Sequence, residues 1–236
     1  MTLQSFVITI CGWLVGLPLQ FLVITALMRG PYRRFPLVFL YAAAGFVTTL
    51  VEIPPFTESF LTGDPVIWRH AARVFWVNEC ILQVLILAAV ISLIDQAASA
   101  SPSRRVIRAG LIAGAILFPA VSFYIRYQPL PQNVGYWMTP WTRDINLCAT
   151  ILDLALWMML VASRKGDRRL LMISGALGLQ FTGEAIGHTL RNLSMAQQMQ
   201  ALSLIGAVIV MLADLTCLYL WWQTFRVERL RSTPQT

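Results

Sequence analysis

Long apolar runs dominate the chain, and short polar or basic segments separate them. Each run offers about the 20 predominantly apolar residues that an α-helix needs to cross a bilayer. The pattern predicts seven transmembrane helices at about residues 5–28, 36–53, 69–94, 109–124, 143–163, 170–190 and 198–222, followed by a basic tail at 223–236. We therefore expect an all-α protein with a single seven-helix transmembrane domain over residues 1–236.

Prolines set several of the predicted helix limits. Pro36 is tolerated in the first turn of helix 2, and Pro54 and Pro55 are expected to end this helix at Ile53. A polar connection, TESFLTGDPVIW, then leads to helix 3. The segment 126–142 is rich in proline and aromatic residues and is predicted to form the longest outer loop.

Arginine clusters follow helices 1, 3, 5 and 7. They include the pairs Arg33–Arg34, Arg104–Arg105 and Arg168–Arg169, and further arginines lie in the tail. Loops that carry such clusters stay on the cytoplasmic side of a membrane. We therefore expect the N-terminus outside and the C-terminus inside.

The composition agrees with a membrane protein. Hydrophobic residues make up 57% of the 236 residues and charged residues only 12%, whereas soluble domains carry about 25% charged residues. The basic residues that give the net charge of +7 lie mostly in short clusters between the apolar runs. This distribution is typical of the loops of a membrane protein, so we expect the lipid bilayer as a partner and no nucleic acid. The four cysteines are isolated in different apolar runs and are expected to be small buried hydrophobes.

A stripe of polar side chains runs along predicted helix 6. Gln180, Glu184, His188 and Arg191 recur at helical spacing and therefore share one face. An ionised side chain at the bilayer centre costs about 2.5 to 3.5 kcal/mol. This face is therefore expected to line the bundle interior or a polar cavity rather than lipid.

Four other helices add polar residues inside their spans. These residues are Arg73, Glu79 and Gln83 in helix 3, Arg143, Asn146 and Asp153 in helix 5, Glu52 in helix 2 and Asp214 in helix 7. The five carboxylates would cost roughly 12 to 17 kcal/mol if they were ionised and faced lipid, which exceeds the net stability of most proteins. They must be paired, protonated or hydrated. Together with the helix 6 stripe they predict an outward-opening, mixed-charge cavity that binds an ion or a small polar molecule.

Two other interpretations of these residues remain open. Buried acids and arginines can form ion pairs that fix helix register without any ligand. Glu184 and His188 also have the i, i+4 spacing of zinc ligands, and His70 near the outer end of helix 3 could complete the set. Such a site would suit a membrane-embedded, metal-dependent hydrolase. No other cofactor or catalytic residue is implied.

RRFPLVFLY at the start of helix 2 and SRKGDRRLLMISGALG across the turn between helices 5 and 6 resemble uncharacterised bacterial seven-helix integral membrane proteins. The resemblance implies a seven-helix fold in a bacterial cytoplasmic membrane. It implies no specific activity.

These observations favour a protein that binds or transports a small polar molecule or ion. The alternative is a membrane sensor, receptor or accessory subunit that signals through its inner basic loops, and the hydrolase is a third hypothesis. Enzymatic activity is therefore not the leading expectation. A homo-oligomer or a protein partner on the inner side is compatible with the first two hypotheses.

Overall fold

The computed structural model of the chain describes residues 3–98, 104–127, 135–162, 167–197 and 200–226. These ranges contain seven α-helices, and each is long and apolar enough to cross a membrane. They are α1 (Leu3–Met28), α2 (Pro36–Thr62), α3 (Pro65–Ala97), α4 (Arg104–Arg126), α5 (Gly135–Ala162), α6 (Arg168–Gln197) and α7 (Gln200–Arg226), with a short 3₁₀ helix, Pro31–Arg33, after α1. The prediction of an all-α chain with seven apolar helices is confirmed, and these helices indicate a multi-pass membrane protein.

All seven helices are longer than predicted, and α2 differs most. It does not end at Ile53 but continues through Pro54 and Pro55 to Thr62. Each proline removes one N–H group from the helix, whereas ending the helix inside an apolar segment would leave several backbone groups without partners. The predicted stop at Ile53 was therefore wrong, because continuing the helix costs fewer hydrogen bonds.

A two-residue turn, Gly63–Asp64, joins α2 to α3 where we predicted a longer polar connection. Gly63 adopts the left-handed conformation with φ +65°, and its N–H donates to the Ser59 carbonyl oxygen at 3.2 Å. The Asp64 side chain caps α3 by accepting from the Val66 N–H at 2.7 Å, and Pro65 occupies the first helical position. The predicted start of helix 3, one turn later, was wrong.

The other predicted limits also need correction. α5 begins at Gly135, so residues 135–142 of the aromatic segment that we predicted as outer loop are helical. α4 begins earlier than predicted, at Arg104, and α6 continues to Gln197. α7 extends to Arg226, so the tail begins later than residue 223. The parts of the predicted loops and tail that lie outside the described residues are 99–103, 128–134, 163–166 and 227–236.

The helices form two compact units. One unit contains α1, α6 and α7, and α7 packs against the other two. The second unit contains α2 to α5, and α3 packs against the other three. Buried side chains of α3, including Ile86, Leu87, Val90 and Leu93, supply much of the core of the second unit. The organisation of the whole chain as a single domain stays a prediction.

Small residues bring α6 and α7 into close contact. A methyl group added at Gly183 of α6 would overlap the Cβ of Ala213 of α7. One added at Gly187 would lie 2.6 Å from the Gly206 carbonyl oxygen and would overlap Val210. Glycines four residues apart therefore let the two backbones approach, as is common between membrane helices.

We expect Gly183→Ala to destabilise the protein, because its methyl group cannot be accommodated without moving α7. Overpacking of this kind costs about 1 to 3 kcal/mol, and each kcal/mol lowers the Tm of a chain of this size by about 2 to 4 °C. Gly175→Ala on the same helix is the control, since nothing in the described part of the chain lies within 4 Å of its added methyl group. Thermal denaturation in detergent should show a lower Tm for Gly183→Ala only. Equal Tm values would contradict the close approach.

Candidate functional site

The predicted site residues are divided between the two units. The unit of α2 to α5 contains Glu52, Arg73, Glu79, Gln83, Arg143, Asn146 and Asp153, and the unit of α1, α6 and α7 contains Gln180, Glu184, His188, Arg191 and Asp214. Polar groups of several of these residues form direct hydrogen bonds within their own unit.

Glu52 of α2 is bound by Asn78 of α3. The Asn78 side-chain amide donates to Glu52 Oε1 at 2.9 Å and reaches the Thr48 carbonyl oxygen at 3.4 Å. Asn78 is buried, and hydrogen bonds are electrostatically stronger in such surroundings than in water. Within the described part of the chain, no cationic side chain forms an ion pair with Glu52. Asn78 was not predicted as a site residue, because no periodic pattern in the sequence relates it to Glu52.

Glu79, the residue after Asn78, is bound by Gln83 one turn later on α3. Gln83 Nε2 donates to Glu79 Oε1 at 3.0 Å. Gln83 is only 7% exposed, and its Oε1 atom has no hydrogen-bond partner among the residues that the structure describes. Glu79 also lies within electrostatic range of Glu52. We call Glu52, Asn78, Glu79 and Gln83 the α2–α3 cluster.

Helix α5 packs against α3 and adds a buried carboxylate. Asp153 is buried, Asn146 is half-buried, and Arg73 and Arg143 are exposed. The Thr150 hydroxyl donates to the Asn146 carbonyl oxygen at 2.7 Å. The role of the two arginines as counter-ions to acids inside the membrane stays a prediction.

An ion pair between α4 and α5 involves two residues that our sequence analysis did not single out. Arg126 Nε lies 3.1 Å from Asp144 Oδ2, and the Ser122 hydroxyl donates to the same oxygen at 2.9 Å. The indole N–H of Trp141 donates to the Pro119 carbonyl oxygen at 3.0 Å. A signal was present in the sequence, because a base that ends one helix and an acid near the start of the next can meet across a hairpin. These contacts join α4 to α5 and do not include the α2–α3 cluster.

In the other unit, Gln180 and Glu184 form a second carboxamide–carboxylate pair within one helix. Gln180 Nε2 donates to Glu184 Oε1 at 3.1 Å, and both residues are buried. Asp214 of α7 is half-buried, whereas His188 is exposed, so the predicted stripe is buried over only part of its length. The side chain of Arg191 lies outside the part of the chain that is described.

The described residues contain no group of three or more His, Cys, Asp or Glu side chains that could hold a metal ion. His70 and His188, two of the three residues considered for zinc, are both exposed. The described part of the chain thus offers no metal centre to the hydrolase hypothesis.

Three glutamates inside candidate membrane spans, Glu52, Glu79 and Glu184, each accept a hydrogen bond from a carboxamide. A carboxamide is neutral, so it stabilises a carboxylate without cancelling its charge. Such a carboxylate can still accept a proton or attract a cationic group. This arrangement therefore suits binding of a positively charged or hydrogen-bond-donating ligand.

Comparisons with models of protein families, with curated proteins and with solved structures find no match to this chain. Among its polar groups, the α2–α3 cluster brings together two acids from two helices, which makes it the strongest candidate site.

We expect Asn78→Leu to lower the stability of the protein, because Glu52 would lose its amide donor. Leaving a buried polar group unsatisfied costs about 1 to 3 kcal/mol. Adding Glu52→Leu should then cost less than it does alone, since the double variant replaces both polar partners by apolar groups. Thermal denaturation of the wild type, both single variants and the double variant measures this coupling. Additive losses of stability would contradict it.

Proposed function

We propose that this chain is a membrane protein that binds a small polar molecule or ion at the α2–α3 cluster and moves it across the bilayer. The observation that carries the proposal is that Glu52 of α2 and Glu79 of α3 each accept a hydrogen bond from a carboxamide of α3 inside candidate membrane spans. Ionisable residues within membrane segments commonly mark substrate or ion pathways.

Buried carboxylates support a binding role over a purely structural one. Taking an ionised carboxylate out of water costs free energy, and Glu52 and Glu79 both lie inside candidate membrane spans. Neutral residues of similar size would join α2 to α3 without that cost. A bound proton, cation or donor group removes the cost, so the pair is most easily explained as a site that takes up a ligand.

We further propose that the protein lies in a bacterial cytoplasmic membrane with its N-terminus outside and its C-terminus inside. This orientation places the arginine pairs Arg33–Arg34 and Arg168–Arg169 in the cytoplasm, in agreement with the positive-inside rule. The binding cavity would open outward, on the side of the α2–α3 turn. The exposed Arg73 and Arg143 would then lie towards its opening.

The orientation predicts which single cysteines react with an impermeant maleimide. Thr62→Cys, at the exposed end of α2, should react in intact cells, and Tyr32→Cys, in the exposed 3₁₀ helix after α1, should react only after permeabilisation. Both variants are made in a background without the native cysteines. Labelling of Tyr32→Cys alone in intact cells would reverse the orientation.

The binding role predicts that Glu52→Gln loses its ligand but keeps its fold, because the substitution preserves shape and removes the charge. Native mass spectrometry should detect a retained small molecule or ion on the wild type and not on Glu52→Gln. Glu58→Gln, an exposed position near the end of the same helix, is the control and should retain it.

The opposite pattern would contradict the proposal. If Glu52→Gln retains the same ligand and shows a large loss of Tm, the cluster holds the helices together and binds nothing. Uptake of the identified ligand into proteoliposomes then separates a transporter from a receptor, since a receptor would bind it without flux.

A further inference from the structure

We infer that the arginine-rich end of the unit of α1, α6 and α7 binds the headgroup of an anionic phospholipid. This end is formed by arginines after α1, at the start of α6 and at the end of α7, and we call it the basic end: Arg29, Arg33, Arg168, Arg169 and Arg226. It belongs to the other unit from the α2–α3 cluster, and its ligand is a lipid rather than the molecule that the cluster binds.

The start of α6 and the end of α7 lie at the same level. The glycine contacts described above advance in opposite directions along the two helices, which are therefore antiparallel. Nearer this end, the indole N–H of Trp221 donates to the Ile173 carbonyl oxygen at 3.4 Å. Arg226 lies five residues after Trp221, and Arg168 lies five residues before Ile173. At about 1.5 Å per residue, both arginines extend about 7.5 Å beyond this contact, towards the same end.

The end of α1 reaches a similar level. Methyl groups added at Gly12 and Gly16 of α1 would lie 3.4 Å from Met211 and 3.8 Å from Leu215 of α7, so the two helices run parallel. The last residues of α1 and α7 lie 12 and 11 residues beyond the second of these contacts. The short 3₁₀ helix that follows α1 packs against it. All three helices therefore bring their arginines to one end of the unit.

Little acid balances this positive charge. Asp167 is the only acid at the basic end within the described ranges, and its carboxylate accepts the backbone N–H of Arg169 at 2.9 Å. The other four arginines of the basic end are exposed, and none of them forms an ion pair with a carboxylate of the described residues. A guanidinium presents a planar set of N–H donors that matches phosphate oxygens. The basic end therefore suits a phosphate group.

Aromatic and apolar neighbours indicate that this phosphate belongs to a lipid. The Arg226 guanidinium lies 4.9 Å from the centre of the Trp222 ring, and Arg33 Nε donates to the Tyr32 hydroxyl at 3.2 Å. Tryptophan and tyrosine are enriched at the level of lipid headgroups. Met28, at the end of α1, is 61% exposed. A phospholipid offers phosphate to the arginines and acyl chains to such apolar surface, whereas a free phosphate ion offers only the first.

The orientation proposed above places the basic end in the inner leaflet. Anionic lipids give the cytoplasmic surface of a membrane a negative potential, which attracts arginines close to it. Topology alone requires only that the arginines stay on this side. Retention of an anionic lipid by the purified protein is a separate property, so it distinguishes a binding site from a signal for orientation.

The test measures the Tm of the delipidated, purified full-length protein in detergent at constant ionic strength. Phosphatidylglycerol should raise the Tm by about 5 to 10 °C at a lipid concentration about 100-fold above Kd. Phosphatidylcholine and inorganic phosphate should not raise it, because the first has no net charge and the second has no acyl chains. Native mass spectrometry should detect bound phosphatidylglycerol in the same sample.

The double variant Arg33→Gln/Arg226→Gln should lose most of this shift and most of the bound lipid. Both positions are exposed, so the variant is expected to fold. The matched control is Arg105→Gln/Arg108→Gln in α4. It removes the same charge at two exposed arginines of the other unit, which have no aromatic ring contact within the described part of the chain. The control should keep the full shift.

Four results would overturn the inference. Equal shifts with phosphatidylglycerol and phosphatidylcholine would mean that the headgroup charge is not recognised. A shift with inorganic phosphate alone would assign a simple anion site. A full shift in Arg33→Gln/Arg226→Gln would place the lipid elsewhere. An equal loss in the α4 control would mean that the lipid responds to net charge and not to the basic end.

Discussion

The core of a bilayer offers no water as a hydrogen-bond partner, and both the backbone and the acidic side chains of this chain obey that constraint. The backbone stays helical through Pro54 and Pro55, because leaving the helix there would expose several unpaired groups to lipid. Helix α2 continues to Thr62, and the chain then turns at Gly63 and Asp64, where cap hydrogen bonds satisfy backbone groups at the ends of α2 and α3. The glutamates inside the spans meet the same requirement by accepting hydrogen bonds from neighbouring carboxamides.

The number and class of the helices could be predicted from the sequence, because the length of an apolar run is fixed by bilayer thickness. The helix limits could not all be predicted, since the rule that a proline pair ends a helix comes from chains in water. The α2–α3 turn was nevertheless encoded locally. Gly63 is a typical residue after a helix end, Asp64 is a typical N-cap, and Pro65 suits a first helical position. These three signals outweigh the polarity of the surrounding segment, which suggested a longer loop.

The site was predictable to different extents within and between helices. Gln180 and Glu184 have i, i+4 spacing, so their contact follows from helical periodicity alone. The contact of Glu52 with Asn78 depends instead on how α2 and α3 are aligned, and the two-residue turn sets that alignment. Glu52 lies 11 residues before Gly63 and Asn78 lies 14 after Asp64; at about 1.5 Å per residue the two side chains reach similar depths. Once the turn is known, the pair can be predicted.

The partner of an acid distinguishes a structural role from a binding role in this chain. Asp144 is paired with Arg126, whose positive charge is permanent, so that carboxylate is committed to joining α4 and α5. The carboxamide that donates to Glu79 is neutral, and the Oε1 atom of the same Gln83 side chain is buried without a hydrogen-bond partner among the described residues. Near Glu184, in contrast, the glycine contact with α7 leaves no space even for a methyl group at Gly183. Two acids from neighbouring helices, each accepting a hydrogen bond from a carboxamide of α3, therefore favour the α2–α3 cluster as the place where a ligand binds.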